Sequence, residues 1–161
     1  MPGCAITEAL NTIGDGLQKE AARRIVQCFS DADLPIQVKR FSRSKPNNRF
    51  RILCFVQKNT ESVVINTDMW GFGGMAFQMR IYNSDSFGRL DELSKNIRRQ
   101  ILNGRDCSFC WPKCNGKQYS FTYRETDYIK CRNFGRNFRF RVVDENDITS
   151  LIALVKREID L

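Results

Sequence analysis

Phe50-Arg51-Ile52-Leu53-Cys54-Phe55-Val56-Gln57, then Lys58-Asn59-Thr60-Glu61, then Ser62-Val63-Val64-Ile65-Asn66: this run sets the fold class. Two segments rich in Ile, Val and Phe, joined by a short polar link, read as a β-hairpin. Upstream, Ile36 to Phe41 is a short extended stretch, and Ser42 to Asn48 is a polar loop holding Pro46. Downstream, Met75, Phe77, Met79 and Ile81 alternate with Gln78 and Arg80, the period of a half-buried strand.

Helical patterns flank this strand-rich centre. Leu17, Ala21, Ile25, Cys28 and Phe29 recur at helical spacing, so a helix is expected from about Leu17 to Ser30. A shorter helical turn precedes it around Thr7 to Ile13, broken by Gly14 and Gly16. A second main helix is expected where Phe87, Leu90, Leu93, Ile97 and Ile101 form an apolar stripe. Ser84, Asp85 and Ser86 offer caps, and Asn103-Gly104 supplies the stop expected at a C′ position. Near the end, Asp144 caps a third, with Asp147 three residues on as an approximate capping box and Ile148, Leu151, Ile152, Val155 and Ile159 as its buried stripe.

Between the second and third main helices, three alternating segments read as a meander. Tyr119, Phe121 and Tyr123 alternate with polar residues, Ile129 and Cys131 alternate with Lys130 and Arg132, and Phe138 and Phe140 alternate with Arg139 and Arg141. The order helix-strands-helix-strands-helix predicts an α+β fold: antiparallel sheets with three main helices packed on one side. One domain over 1–161 is expected, with candidate pseudo-halves 1–86 and 87–161, the second carrying the cysteine cluster.

Composition sets the chemistry that is open to the chain. With 42% hydrophobic and 27% charged residues it has the balance of a soluble globular protein. No apolar stretch approaches a membrane span, and Met1-Pro2-Gly3-Cys4 shows neither a signal-peptide n-region nor a myristoylation glycine. The expectation is a cytoplasmic, reducing setting in which thiols stay reduced and clustered cysteines point to metal or catalysis. There is no histidine. That removes the usual general base near neutral pH and every Cys-His or Ser-His nucleophile pair, so no catalytic motif is found.

Four of the seven cysteines fall in one region: Cys107, Cys110, Cys114 and Cys131. Thiolates bind zinc tetrahedrally, and four protein sulfurs leave no open position for water, so the expected cofactor is a structural Zn2+. Arg105, Lys113, Lys117, Lys130 and Arg132 lie close in sequence, and nearby cations stabilise thiolates. An iron–sulfur cluster also uses four cysteines, though the spacing of bacterial ferredoxins is missing. A redox pair at Cys107 and Cys110 and a set of uncoordinated thiols stay open beside these.

From Arg98 to Arg141 there are eleven Lys and Arg against three acids, a surplus equal to the net charge of the whole chain, +8. A basic strip interleaved with aromatics suits an anionic partner, nucleic acid or a phosphate-bearing ligand. Arg124, Lys130, Arg132, Arg139 and Arg141 are the candidate contacts, with phosphate contact rather than base readout as their chemistry. A solvated sheet face is the competing reading. A third candidate is an effector pocket between the two halves, lined by Trp70, Phe72, Phe77, Tyr82 and Trp111.

The carboxy-terminal part resembles a set of small bacterial proteins of unknown function. The resemblance rests on Ile101-Leu102-Asn103-Gly104-Arg105-Asp106-Cys107 running into the cluster, Tyr128-Ile129-Lys130-Cys131, the Phe138-x-Phe140 strand, and a final helix ending Lys156-Arg157-Glu158-Ile159. It covers about residues 97–161 and implies that the four cysteines act as one unit; it implies no activity.

Overall fold

A computed structural model describes residues 2–14, 16–40, 50–57, 60–67, 76–107, 118–132 and 138–160. The fold is α+β. Its centre is a five-stranded antiparallel sheet in the order β1(Ile36–Arg40), β2(Phe50–Gln57), β3(Thr60–Asn66), β4(Ala76–Met79) and β7(Phe138–Phe140). A separate hairpin pairs β5(Gln118–Tyr123) with β6(Thr126–Cys131). The helices are α1(Pro2–Asn11), α2(Leu17–Asp31), the single turn α3(Asp85–Gly88), α4(Lys95–Leu102) and α5(Glu145–Ile159), with a 3-10 turn at Leu90–Glu92.

Register aligns the apolar residues into rows. Val38, Ile52, Ile65, Phe77 and Phe140 stand opposite one another across all five strands, and Ile36, Cys54, Val63, Met79 and Phe138 form the next row. Residues from α1, α2, α4 and α5 close over this face and complete a single core with it. Cross-strand alignment of β-branched and aromatic side chains is the main stabilising unit of such a sheet. No helix among the described residues is long and apolar enough to cross a membrane.

The long second helix of the sequence reading is in fact three pieces. Leu93 and Ser94 are extended, which ends the 3-10 turn and starts α4 afresh. Ser94, not Ser84, is the working cap: its Oγ accepts from the Ile97 N–H at 3.1 Å. The same Oγ donates to Asp147 at 2.5 Å, and the Ser94 N–H donates to Ser150 Oγ at 2.7 Å. A tertiary network at α5 therefore decides where α4 begins, over the apolar periodicity that would have carried one helix through.

At α5 the Asp144 cap holds as expected, accepting from the Asp147 N–H at 2.8 Å. Asp147 does not reach back to Asp144. Its fully buried carboxylate accepts from Ser94 Oγ, Asn96 Nδ2 and the Val143 N–H, so it ties α4 and the β7 exit to α5.

The expected three-stranded meander divides between two sheets. β7 leaves the hairpin and pairs with β4, so only β5 and β6 stay together. The hairpin turns through Arg124 and Glu125, both left-handed, with φ of 47° and 63°. Tyr123 therefore pairs with Thr126 and Tyr119 with Lys130. This two-residue turn puts the odd positions of β5 on the same face as the even positions of β6. Lys130 accordingly lies buried on the aromatic face and Ile129 is 50% exposed, the reverse of the alternation read from sequence.

Candidate metal centre

The path to the cysteines begins at the end of α4. Gly104 donates to the Ile101 carbonyl at 3.0 Å, and the chain extends through Arg105 and Asp106 alongside β6. Asp106 makes an antiparallel bridge with Lys130, and the Cys131 N–H donates to the Arg105 carbonyl at 2.8 Å. The bridge is isolated, and Cys107, next after Asp106, begins a 3-10 turn, while Cys131 follows Lys130 at the end of β6.

Cys107 is half-buried and Cys131 is buried. Cys110 and Cys114 lie outside the described residues, and among the described residues no group of three or more potential ligands gathers. The structure thus bridges Asp106 and Lys130, the residues that precede Cys107 and Cys131, although 24 positions separate them in the sequence.

Lys130 anchors the same bridge from its other face. Its Nζ is 2.7 Å from Asp106 Oδ1, with the lysine side chain 6% exposed and the aspartate 68%. The ammonium also stands 5.2 Å from the Tyr128 ring centroid. A cleft of about 600 Å3 opens here, lined by Asp106, Cys107, Gln118, Tyr128, Ile129 and Lys130 among others.

The five candidate cations do not form one face. Arg124, at the hairpin tip, pairs with Asp91 at 3.1 Å. The Tyr123 hydroxyl, hydrogen-bonded to Asp91 at 2.6 Å, leads in holding that carboxyl below its ordinary range, with Arg124 and Arg98 assisting. Arg132 lies over the rings of Tyr82 and Tyr119, at 4.8 and 5.4 Å. Arg139 and Arg141 are exposed on or beyond β7, in the other sheet.

The effector-pocket residues are also scattered. Phe77 is sealed in the helix-covered core and Tyr82 is half-buried under Arg132. Trp70, Phe72 and Trp111 lie outside the described residues.

A group that the sequence reading passed over lies on the other face of the five-stranded sheet. Leu53, Phe55 and Val64 form a second buried cluster there, separate from the main core. Ser62 and Asn66 flank Val64 on β3 and are 1% and 6% exposed. Among the described residues neither Ser62 Oγ nor Asn66 Nδ2 has a hydrogen-bond partner. Each buried polar atom left in that state costs on the order of 1–3 kcal/mol. Arg51 shares this side, its Nε donating to Asn66 Oδ1 at 3.0 Å. Alternation puts Gln78 and Arg80 there too, and Arg139 is opposite Gln78. The sequence did carry a signal: the unbroken apolar runs Ile52–Val56 and Val63–Ile65 suit strands covered on both faces, not a sheet with one solvated side.

No protein-family model, curated protein or solved structure matches the chain.

Proposed function

We propose that the chain is a non-enzymatic module in which Cys107, Cys110, Cys114 and Cys131 hold one structural zinc ion, and that the module binds an anionic partner. The observation that supports the metal is the bridge at Asp106 and Lys130 together with the Cys131-to-Arg105 hydrogen bond, which sets Cys107 beside the strand ending in Cys131. An ion held by all four sulfurs would fasten the β5–β6 hairpin to the end of α4. The anionic partner is supported by the net charge of +8; excess cationic charge favours association with anions.

Elemental analysis of the purified protein tests the metal. About one equivalent of zinc is expected, and a chelator should lower Tm sharply, because structural zinc contributes its binding energy to folding. Less than a tenth of an equivalent of any metal, with four titratable thiols in this region, overturns it. The partner is tested by titration with a labelled oligonucleotide at low and high salt.

A further inference from the structure

β1 (Ile36–Arg40) is an edge of the five-stranded sheet: β2 pairs along one side of it, and no strand among the described residues pairs along the other. The Phe55 N–H donates to the Pro35 carbonyl at 3.1 Å, which makes Ile36 and Cys54 a non-hydrogen-bonded pair. By alternation Val38 and Arg40 belong to such pairs too. The N–H and C=O groups of Ile36, Val38 and Arg40 therefore point outward, and among the described residues none of them meets a protein partner. Ile36 and Val38, which begin the two apolar rows of the sheet, are half-buried, while Gln37, Lys39 and Arg40 are exposed. α1 packs on the helix-covered face and sets Glu8 against Arg40 at 2.9 Å. An edge with its hydrogen bonds unspent is a template for another strand.

We propose that β1 pairs antiparallel with β1 of a second copy of this chain, about a two-fold axis at Val38, joining the two sheets into one. Three features select a second copy. The outward-pointing residues 36, 38 and 40 are symmetric about Val38, so this register gives each of their backbone groups a partner. Val38 bonds to Val38 of the partner subunit, and Ile36 to Arg40 of the partner subunit. Next, the apolar row that runs from Val38 to Phe140 continues into its own copy, covering the half-buried side chains at which it stops. Last, Gln37 stands opposite Lys39 of the partner subunit, so like charges do not face each other across the seam, and Arg40 brings Glu8 with it. The inference goes beyond the function proposed above and rests on neither the zinc ion nor the anionic partner.

Sedimentation equilibrium of the metal-loaded full chain tests it, without nucleic acid and with a phosphine reductant so that no thiol cross-links form. A seam of five residues is short, so a reversible monomer–dimer equilibrium is expected, with Kd on the order of 10–100 μM. Because each chain carries a net charge of +8, added salt should tighten the dimer by screening the repulsion between copies. Oligonucleotide binding would respond to salt in the opposite direction. Gln37→Glu puts a carboxylate opposite Lys39 and should tighten the dimer several-fold, and Gln37→Lys should weaken it by a similar factor. Val38→Pro removes an outward N–H and no bond of the β1–β2 ladder, so the variant should fold and stay monomeric.

A chain that stays monomeric up to about 1 mM overturns the proposal. So does a dimer that responds equally to Gln37→Glu and Gln37→Lys, a comparison that decides the matter even where Val38→Pro does not fold. Capture of an alternating Glu-Val peptide by a monomeric chain, lost in Val38→Pro, would assign the edge to an acidic strand instead and overturn it as well.

Discussion

The ring of Phe138 fills the space that a side chain on Gly104 would need: its Cε1 is 2.8 Å from where a Cβ would stand, and the Ile101 carbonyl is 2.9 Å from the same point. Gly104 is not left-handed, so its role differs from that of the C′ glycine expected at a helix stop. It lets β7 lie against the end of α4, where the chain turns toward the cysteines. Gly104→Ala should therefore destabilise the fold, by about 1–3 kcal/mol as overpacking does. Chemical denaturation would measure this, and an unchanged midpoint would contradict it.

The hairpin turn leads to the opposite expectation. Arg124 and Glu125 both hold positive φ, a conformation that disfavours side chains with a Cβ and suits Asn-Gly or Gly-Gly. Local bonds hold the turn nonetheless: Arg124 and Tyr123 to Asp91, and Thr122 Oγ1 to Asp127 at 2.7 Å. Glu125→Gly should relieve strain and stabilise the protein by roughly 1 kcal/mol. In a chain of this size that is a Tm rise of about 2–4 °C. A fall in Tm would show that the turn is not strained.

Lys130 and Asp106 are unequal partners, one buried and one exposed. Asp106→Ala leaves an ammonium in a desolvated site without its carboxylate and should cost about 1–3 kcal/mol. Lys130→Met removes the charge and keeps the apolar stem, so it should cost less. Thermal melts of the two variants side by side check the order; the reverse order would mean that the lysine, not the pair, carries the bridge.

Glu158 gives a pH dependence with a defined sign. Its fully buried carboxylate accepts from the Tyr82 N–H at 2.6 Å and the Asn83 N–H at 3.1 Å. Burial raises its pKa, against the opposing pull of those two N–H groups and of Arg132. The folded state thus holds its proton to higher pH than the unfolded chain, whose glutamates titrate near about 4.3. The stability from this group is full below that value and is lost as pH rises through the folded pKa. Glu158→Gln should flatten that part of the stability–pH curve, measured by denaturant midpoints from acid to neutral pH. A slope unchanged from the parent protein would assign the effect elsewhere.

What could be read from sequence was local. The β2–β3 hairpin, α2 and the Asp144 cap each rest on neighbouring residues, and each stands where periodicity and capping chemistry placed it. What could not be read depended on distant partners. Ser94 begins a helix because Asp147 and Ser150 meet it. Lys130 turns inward because a two-residue turn without the usual Asn-Gly signal fixes the register. Phe138 belongs to the main sheet because its row is completed by Met79, a pairing no local pattern reveals.

That last pairing also bears on how the chain comes together. Met79 and Phe138 are ladder neighbours, so everything between them, α3, α4, the cysteines and the hairpin, is one long excursion cinched at its base. Loop closure over such a length costs entropy before the contacts formed can repay it, and pairings of this kind slow folding. β7 is thus the natural last strand to dock. A clasp drawing Cys107 and Cys131 together would shorten the effective loop beforehand, so metal would act on the rate of folding as well as on its equilibrium.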